Sequence, residues 1–353
     1  MATVQYKCPN CGGPLQWGAE KQSFCCEYCG SEFTEEQLKM VFSDIENNPL
    51  DETVDEKSVE EFSNGTSLYI CNSCGAEIIA DETTAATFCY YCHNPTILQG
   101  RLSGEYKPSQ VIPFKIEREN AIKIFKDWCS KRWFLPSDFK SQQQLEKMSG
   151  VYIPFWLADC KSDADITAIA KKVRSWTSGD TRYTETKEYT AHRSAIIDFK
   201  KVPADGSSKA EDKLMDAIEP FDYNEMKPFS MSYLSGYMAE KYDIGKLDVL
   251  PRIKSRIEEA STSMLRETIT GYTSVTITNQ LINLIGTKWN YTLFPVWFMT
   301  YKHNGKSYYF AINGQTGKIA GTPPLSHAKA LLFSAALGVV GAILFIIFTL
   351  GGV

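Results

Sequence analysis

Eight of the eleven cysteines form four Cys-x-x-Cys pairs, all before residue 93. The first unit contains Cys8, Cys11, Cys26 and Cys29, and the second contains Cys71, Cys74, Cys89 and Cys92. In both units 14 residues separate the inner cysteines, and the second unit repeats the first at an offset of 63 residues. Four thiolates are the donor set of a closed, tetrahedral zinc site. The sequence therefore predicts two zinc ribbons and two Zn²⁺ ions per chain.

The doublet Cys25-Cys26 leaves a choice of ligand. The 63-residue offset aligns Cys26 with Cys89 and Cys25 with Phe88, so Cys26 is predicted to bind the metal. Two alternatives stay open at this point. His93, which follows the last pair, could replace a cysteine as the fourth ligand of the second site, and the cysteines could be free or redox-active thiols.

The sequence segments that could indicate an enzyme match known catalytic motifs only in part. The run Gly305-Lys306-Ser307 resembles the end of a P-loop, but a threonine stands where the first glycine is required, so we predict a hairpin turn. Asp159-Cys160 and His192 could form a dyad, although Cys160 ends a predicted strand and is better placed in a core. An enzyme with an unrecognised site in residues 105–324 remains a third functional hypothesis.

The charge distribution does not favour nucleic acid as a partner. The chain has a net charge of −5, and ten acidic residues against two lysines are concentrated in residues 34–63. Each predicted ribbon is neutral to acidic, whereas binding to phosphates requires a basic surface. We therefore interpret residues 34–63 as a solvated linker, with a short helix predicted at residues 35–45.

The predicted fold class is multidomain: two small zinc ribbons built from β-hairpin knuckles, an α+β body with antiparallel strand meanders, and one C-terminal transmembrane helix. The body contains two similar Pro-x-Trp segments, 152–157 and 293–298, which predict two related β units. Helices are predicted at residues 117–133, 209–218 and 253–269, and strands at 181–199 and 288–321. The predicted domains are ribbon 1 at 1–33, an acidic linker at 34–65, ribbon 2 at 66–101, the body at 105–325 and the transmembrane helix at 328–350.

The last segment lacks charged residues from Ala330 to Val353. About 20 apolar residues suffice to span a bilayer, so we predict a single-pass membrane protein. Lys318 and Lys329 precede the span, which together with the reduced cysteines predicts a cytoplasmic N-terminus. Small residues recur every four positions along this segment and predict helix–helix association, and hence an oligomer, through one face: Ala330, Ser334, Gly338 and Ala342.

Four segments resemble a bacterial family: CPNCGGPL at 8–15, CNSCGAEI at 71–78, IPFWLADC at 153–160 and the run from residue 294 to residue 321. This family has TFIIB-type zinc ribbons, an α+β middle and C-terminal membrane helices. Its members are often named as replication-restart helicases, but this chain has no Walker motif. The resemblance implies an accessory role in phage-shock-type envelope stress, with PspA-like or SPFH-domain proteins as partners.

The leading functional prediction is thus a non-enzymatic, membrane-anchored adaptor whose ribbons recruit cytoplasmic proteins. The alternative is a membrane-tethered regulator that binds nucleic acid, and a basic ribbon surface would favour it.

Overall fold

The computed structural model describes residues 7–18, 23–34, 36–38, 41, 62, 66–81, 89–92, 97–100, 107–234, 237–303 and 305–350. Most of the acidic linker therefore lies outside the described residues. Of the short helix predicted at 35–45, residues 36–38 and 41 are described, and they are helical.

Long antiparallel strands dominate the described part of the chain. In chain order the strands are β1 (Leu15–Gly18), β2 (Ser23–Cys26), β3 (Glu32–Phe33), β4 (Thr66–Cys71), β5 (Glu77–Asp81), β6 (Ile97–Gly100), β7 (Gln110–Val111), β8 (Ser149–Ser178), β9 (Thr181–Asp205), β10 (Lys227–Pro228), β11 (Met238–Glu240), β12 (Ser274–His303), β13 (Lys306–Asn313) and β14 (Ile319–Gly321). The helices are α1 (Arg118–Ser130), α2 (Gln142–Leu145), α3 (Asp212–Ile218), α4 (Lys246–Glu267) and α5 (His327–Leu350).

The helices predicted at 117–133, 209–218 and 253–269 correspond to α1, α3 and α4. α4 begins earlier than predicted, at Lys246, and it includes Pro251. A proline within a helix removes one backbone hydrogen bond. The apolar face of α4 offsets that loss, since Ile253, Ile257 and Leu265 are all buried.

The chain forms two compact units, each assembled from three segments. The first unit comprises Met1–Asp55, Phe155–Gly206 and Tyr242–Thr292, and the second comprises Glu56–Pro154, Ser207–Lys241 and Leu293–Val353. Each unit thus contains one cysteine-rich segment, one antiparallel strand pair and at least one helix.

In the first unit, β1, β2 and β3 form a small antiparallel sheet around the first four cysteines. β8 and β9 form a long hairpin whose pairing runs from Phe155↔Asp205 to Ser178↔Thr181. Side chains of a strand alternate between its two faces. Accordingly Ile166 and its even-numbered alanine neighbours on β8 are buried against α4, while the odd-numbered positions between them are half-exposed.

In the second unit, β4 pairs with both β5 and β6. β5 also pairs with β11, and β11 pairs in turn with residues 151–152 of β8. The C-terminal part of β12 forms the predicted meander with β13 and β14. α1 covers this meander, because Phe125 packs in one cluster with Trp297 and Phe310.

The two units share a local arrangement around the repeated tryptophans. Trp156 Nε1 donates to the carbonyl of Ile244 at 2.9 Å, and Trp297 Nε1 donates to that of Ile116 at 2.8 Å. Each isoleucine lies two residues before a helix, α4 or α1. The isoleucine amides then donate to glycine carbonyls directly after a strand, Ile244 to Gly206 at 3.1 Å and Ile116 to Gly314 at 2.8 Å. Each unit therefore joins one helix to one strand pair by the same two hydrogen bonds, one from the indole and one from a backbone amide.

The C-terminal segment is helical, but the membrane prediction needs correction. The structure describes the side chains of α5 from residue 327 to residue 343. Within the described residues, no helix combines the length and the apolar character needed to cross a membrane. The predicted transmembrane helix at 328–350, and the single-pass membrane localisation based on it, therefore do not hold.

Candidate metal centres

The first cysteine cluster has the dimensions of a zinc site. Cys8, Cys11, Cys26 and Cys29 place their sulfur atoms within 4.8 Å of one another. The Sγ atoms of Cys8 and Cys29 are 3.6 Å apart, and those of Cys11 and Cys26 are 3.4 Å apart. A tetrahedron with Zn–S bonds of about 2.3 Å has edges of about 3.8 Å, whereas a disulfide has sulfurs about 2.05 Å apart. The sulfurs are thus spaced for a metal ion and not for a disulfide.

The second cluster repeats this geometry. Its closest sulfur pairs are Cys71–Cys92 at 3.5 Å and Cys74–Cys89 at 3.6 Å, and all four sulfurs again lie within 4.8 Å. The structure therefore confirms the prediction of two zinc sites per chain, with these eight cysteines as ligands. Cys25 belongs to neither cluster, and His93 lies outside the described residues.

Tight turns position the paired cysteines. In the first knuckle, the Gly12 amide donates to the Cys8 carbonyl at 2.8 Å, and the Cys8 amide donates to the Gly13 carbonyl at 2.6 Å. The knuckles that begin at Cys26 and Cys71 have the same pair of hydrogen bonds. The residue after the second cysteine has a positive φ in each of these three knuckles, for example 76° at Gly12. Glycine adopts this conformation without the steric penalty that a Cβ would bring.

The titration behaviour of the clustered thiols favours a bound cation. The hydrogen bond with Cys8 lowers the pKa of Cys29 to about 4, and the same contact raises the pKa of Cys8. Burial raises the pKa of Cys11 to about 11 and also raises the pKa of Cys89. In the absence of metal, the four sulfurs of one site therefore cannot all be ionised at neutral pH. A Zn²⁺ ion removes this conflict because it stabilises all four thiolates together.

The first knuckle of ribbon 1 is docked onto the first unit through Asn10. This side chain is 1% exposed and lies between Cys8 and Cys11. Its Nδ2 donates to the carbonyl of Leu284 at 3.1 Å, and its Oδ1 accepts from Thr287 Oγ1 at 3.0 Å. The Asn10 carbonyl also accepts from Trp289 Nε1 at 3.1 Å. Hydrogen bonds to β12 thus hold this knuckle in place.

Ribbon 2 is docked onto the second unit by its other knuckle, Cys89–Cys92. The intervening Tyr90 and Tyr91 are 1% and 4% exposed, and both rings contact Phe298 edge-on. The Tyr91 hydroxyl donates to Glu240 Oε2 at 2.7 Å. Ribbon 2 therefore contributes two aromatic rings to the core of its unit, whereas ribbon 1 is held by polar contacts.

Three lysines donate to main-chain carbonyls of the ligand cysteines. Lys254 Nζ lies 3.2 Å from the Cys29 carbonyl in the first unit. In the second unit, Lys209 Nζ lies 2.8 Å from the carbonyl of Cys74, and Lys302 Nζ lies 3.0 Å from that of Cys92. A zinc ion with four thiolates carries two net negative charges, so ammonium groups at this distance stabilise the site. The sequence contains no indication of these three lysines, because they are far from the cysteines along the chain. The Tyr-Tyr doublet, in contrast, could have indicated a docked knuckle.

The remaining knuckles face solvent. Tyr28 in ribbon 1 is 71% exposed, and Asn72 and Ser73 in ribbon 2 are exposed. The two ribbons therefore repeat in sequence but dock with opposite knuckles.

The other sequence candidates do not converge on a site. Cys160 is buried in β8, while His192 forms a 2.7 Å contact with Asp165. Gly305 has a φ of 75° at the turn between β12 and β13, in agreement with the predicted hairpin.

The small-residue positions of α5 are not packed either. Ser334, Gly338 and Ala342 are exposed and Ala330 is half-buried. A Cβ placed on Gly338 would meet nothing within 4 Å. Their predicted association depended on close approach of helices in a membrane, so it loses its basis with the transmembrane helix.

The chain is similar over nearly its whole length to a protein of Bacillus subtilis. No family model matches the chain, and no solved structure matches it. The chain is 35% identical over 341 residues to the uncharacterized protein YdjG of Bacillus subtilis (strain 168), covering 95% of this chain and 94% of the relative. Identity at this level over nearly the whole length of both proteins establishes common descent, and the chain belongs to the same family as YdjG.

Proposed function

We propose that this protein is a non-enzymatic adaptor that binds a partner protein through the tip of the β8–β9 hairpin, residues 172–190, here called the hairpin arm. Zinc has a structural role in this proposal. A four-cysteine site leaves no coordination position for a substrate, and both ribbons are docked within their own units.

The observation that carries the proposal is the exposure of the arm. Every residue from 172 to 190 is exposed. The two strands nevertheless remain paired up to the tip of the hairpin, where Ser178 of β8 lies opposite Thr181 of β9. Trp176 and Tyr183 face each other across the arm, with ring centroids 5.7 Å apart and planes at 15°, and they are 45% and 47% exposed. Aromatic residues are enriched at the centres of protein interfaces, where they bury large areas with little loss of conformational entropy.

One face of the arm combines these rings with positive charge. Because the pairing places Trp176 opposite Tyr183, the same face carries Arg174 opposite Glu185 and Lys172 opposite Lys187. The other face is rich in hydroxyl groups, including a 3.0 Å hydrogen bond between Ser175 and Thr184. The aromatic face therefore suits a partner that presents an apolar patch beside acidic residues.

Cross-strand contacts keep the arm ordered without a third strand. Lys171 and Glu188 form a 2.6 Å ion pair near its base, and the Thr273 amide donates to the Lys171 carbonyl. An isolated two-stranded hairpin is only marginally stable in water. Cross-strand pairs such as Trp176–Tyr183 therefore also stabilise the folded arm. A test of function must therefore preserve strand propensity.

The experiment uses photo-crosslinking amino acids at position 174 or, as a control on the opposite face, at position 175. We expect a discrete protein adduct from position 174 and a weaker one from position 175. The double variant Trp176→Thr, Tyr183→Thr should lose binding to the identified partner by about tenfold or more, because buried interface aromatics contribute 2 kcal/mol or more. Threonine retains strand propensity, and Ser175→Ala, Thr184→Ala is the matched control.

The test also separates the competing hypotheses. The adaptor partners implied by the family resemblance are PspA-like or SPFH-domain proteins, so purified representatives are the first candidates. A photo-crosslinking amino acid at position 28, on the exposed knuckle of ribbon 1, tests the alternative. Adducts from this position but none from the arm would show that the ribbons bind the partner. Salt-dependent binding of single-stranded oligonucleotides by the aromatic face would instead favour the nucleic-acid hypothesis.

A further inference from the structure

The second unit has a cleft with strongly basic walls at the C-terminal end of α1. Its volume is about 210 Å³. The lining includes the cations Arg132, Lys140 and Lys329, the exposed Trp133, and no carboxylate. A concentration of positive charge around a cleft of this kind attracts an anion. This cleft is remote in sequence from the zinc ligands and from the hairpin arm.

Two of the three cations are held in place by the protein. The Arg132 guanidinium lies 3.5 Å from the centroid of the Trp128 ring and donates through Nη1 to the Trp128 carbonyl at 2.8 Å. Lys329 Nζ donates to the Leu135 carbonyl at 2.7 Å. Cations that are already oriented lose less conformational entropy when a ligand binds. Arg132 keeps further N–H donors, since a guanidinium has five.

The third cation is uncommitted. Lys140 is exposed at the end of the short 3-10 helix Ser137–Lys140, and no hydrogen bond or ion pair of its amine occurs among the described residues. Asp138, on the same short helix, already accepts a hydrogen bond from the Tyr301 hydroxyl at 2.9 Å. It does not line the cleft. Lys140 is therefore available for a ligand.

The chemistry of the cleft favours a phosphate group with a small organic substituent. Arginine presents parallel donors that match phosphate oxygens, and lysines add compact charges. The volume exceeds what a few waters need but lies below the range of about 300–1,000 Å³ that is common for drug-sized ligands. The base is apolar, with buried Leu135, Pro136 and Phe139, and Trp133 stands at the rim.

From this arrangement we infer that the basic cleft formed by Arg132, Lys140 and Lys329 is a binding site for a small phosphomonoester. The phosphate contacts the three cations, and the organic group rests on Leu135 and Trp133. The inference is independent of the adaptor function.

The test is isothermal titration calorimetry of the full-length, zinc-loaded protein with phenyl phosphate, inorganic phosphate and phenol. We expect saturable binding of phenyl phosphate, weaker binding of inorganic phosphate and no binding of phenol. Lys140→Gln should weaken phenyl phosphate binding by about tenfold or more, since it removes one charge-assisted contact. Arg132→Lys should weaken it similarly, because the parallel donors are lost.

Lys131→Gln is the matched control, because Lys131 is exposed, adjacent to Arg132 and absent from the lining. It changes net charge as much as Lys140→Gln does and should leave binding unchanged. Three results would overturn the inference: no saturable binding at about 10 mM phenyl phosphate, equal weakening by Lys131→Gln, or phenol binding as tightly as phenyl phosphate. Because Lys140 is exposed and its amine forms no hydrogen bond or ion pair with any residue that the structure describes, its replacement should leave the fold intact.

Discussion

Loss of the second zinc is predicted to damage its unit more than loss of the first. The perturbation is Cys92→Ser, which removes one ligand from the docked knuckle of ribbon 2. Tyr90 and Tyr91 lie between Cys89 and Cys92, and both are nearly completely buried. Without the metal, the turn that inserts these rings into the core loses the ligand bonds that close it at both ends.

The magnitude follows from buried area. A buried tyrosine removes about 150–250 Å² from water, so two rings at about 25 cal/mol per Å² correspond to roughly 8–12 kcal/mol as an upper value. Residual burial in the unfolded chain reduces this to about 5–10 kcal/mol. Since whole domains are stable by about 5–15 kcal/mol, the second unit should lose most of its stability.

The matched variant is Cys11→Ser, at the equivalent position of the docked knuckle in ribbon 1. Three hydrogen bonds of Asn10 to β12 depend on that knuckle. At about 1 kcal/mol each, their loss should lower the stability of the first unit by about 3 kcal/mol. Both variants should lose one zinc ion, so the difference reports docking and not metal content.

Hydrogen exchange measured by mass spectrometry reads the two units separately, because each peptide belongs to one of them. Cys92→Ser should abolish protection in residues 293–313. Cys11→Ser should reduce protection in residues 284–289 by about a hundredfold. If Cys92→Ser lost zinc but kept protection within about tenfold of the parent protein, the burial argument would be refuted. Equal losses in both variants would refute the asymmetry.

Three further predictions address metal, thiols and packing. Metal analysis should give two zinc ions per chain, and Cys25→Ser should lose neither of them. Zinc release to a chelator should accelerate as pH falls, because protons compete with the metal for the thiolates. A release rate that does not change between pH 8 and pH 5 would contradict this. In the zinc-loaded protein, Cys129 and Cys160 should resist alkylation at pH 8, since both are buried and burial raises the pKa of Cys129 to about 11 and that of Cys160 to about 12; rapid modification of either would show that its surroundings open. Gly314→Ala should lower the melting temperature strongly, because a Cβ there would lie 2.6 Å from the Phe114 ring. Gly179→Ala should lower the free energy of unfolding by only about 1 kcal/mol, because Gly179 has open space around it and the cost is that of a φ of 61°.

Both metal sites and their cysteine ligands could be predicted from the sequence alone. Zinc coordination depends on ligand type and on the reach of a short turn, and both are encoded within four consecutive residues. The repeat also identified Cys26 over Cys25, and the structure leaves Cys25 outside both clusters. Helices α1, α3 and α4 were predictable for a similar reason, since apolar periodicity is a local property.

The C-terminal helix shows where local composition was insufficient. The absence of charge after Lys329 predicted both a helix and a membrane span. The helix is present, but the described part of the chain contains no span. Apolar composition favours helix formation and burial alike, so it does not specify which surroundings cover the helix.

Tertiary structure alone decided how the ribbons are used. Two units that match ligand for ligand dock through opposite knuckles, because docking depends on what the distant strand β12 offers to residue 10 and to residues 90 and 91. The same holds for Lys209, Lys254 and Lys302, which approach the cysteine carbonyls only after folding. Ligand spacing is fixed by covalent geometry over a few bonds and can be read from the chain. Docking is fixed by contacts between residues up to 279 positions apart, for which a single sequence carries no local signal.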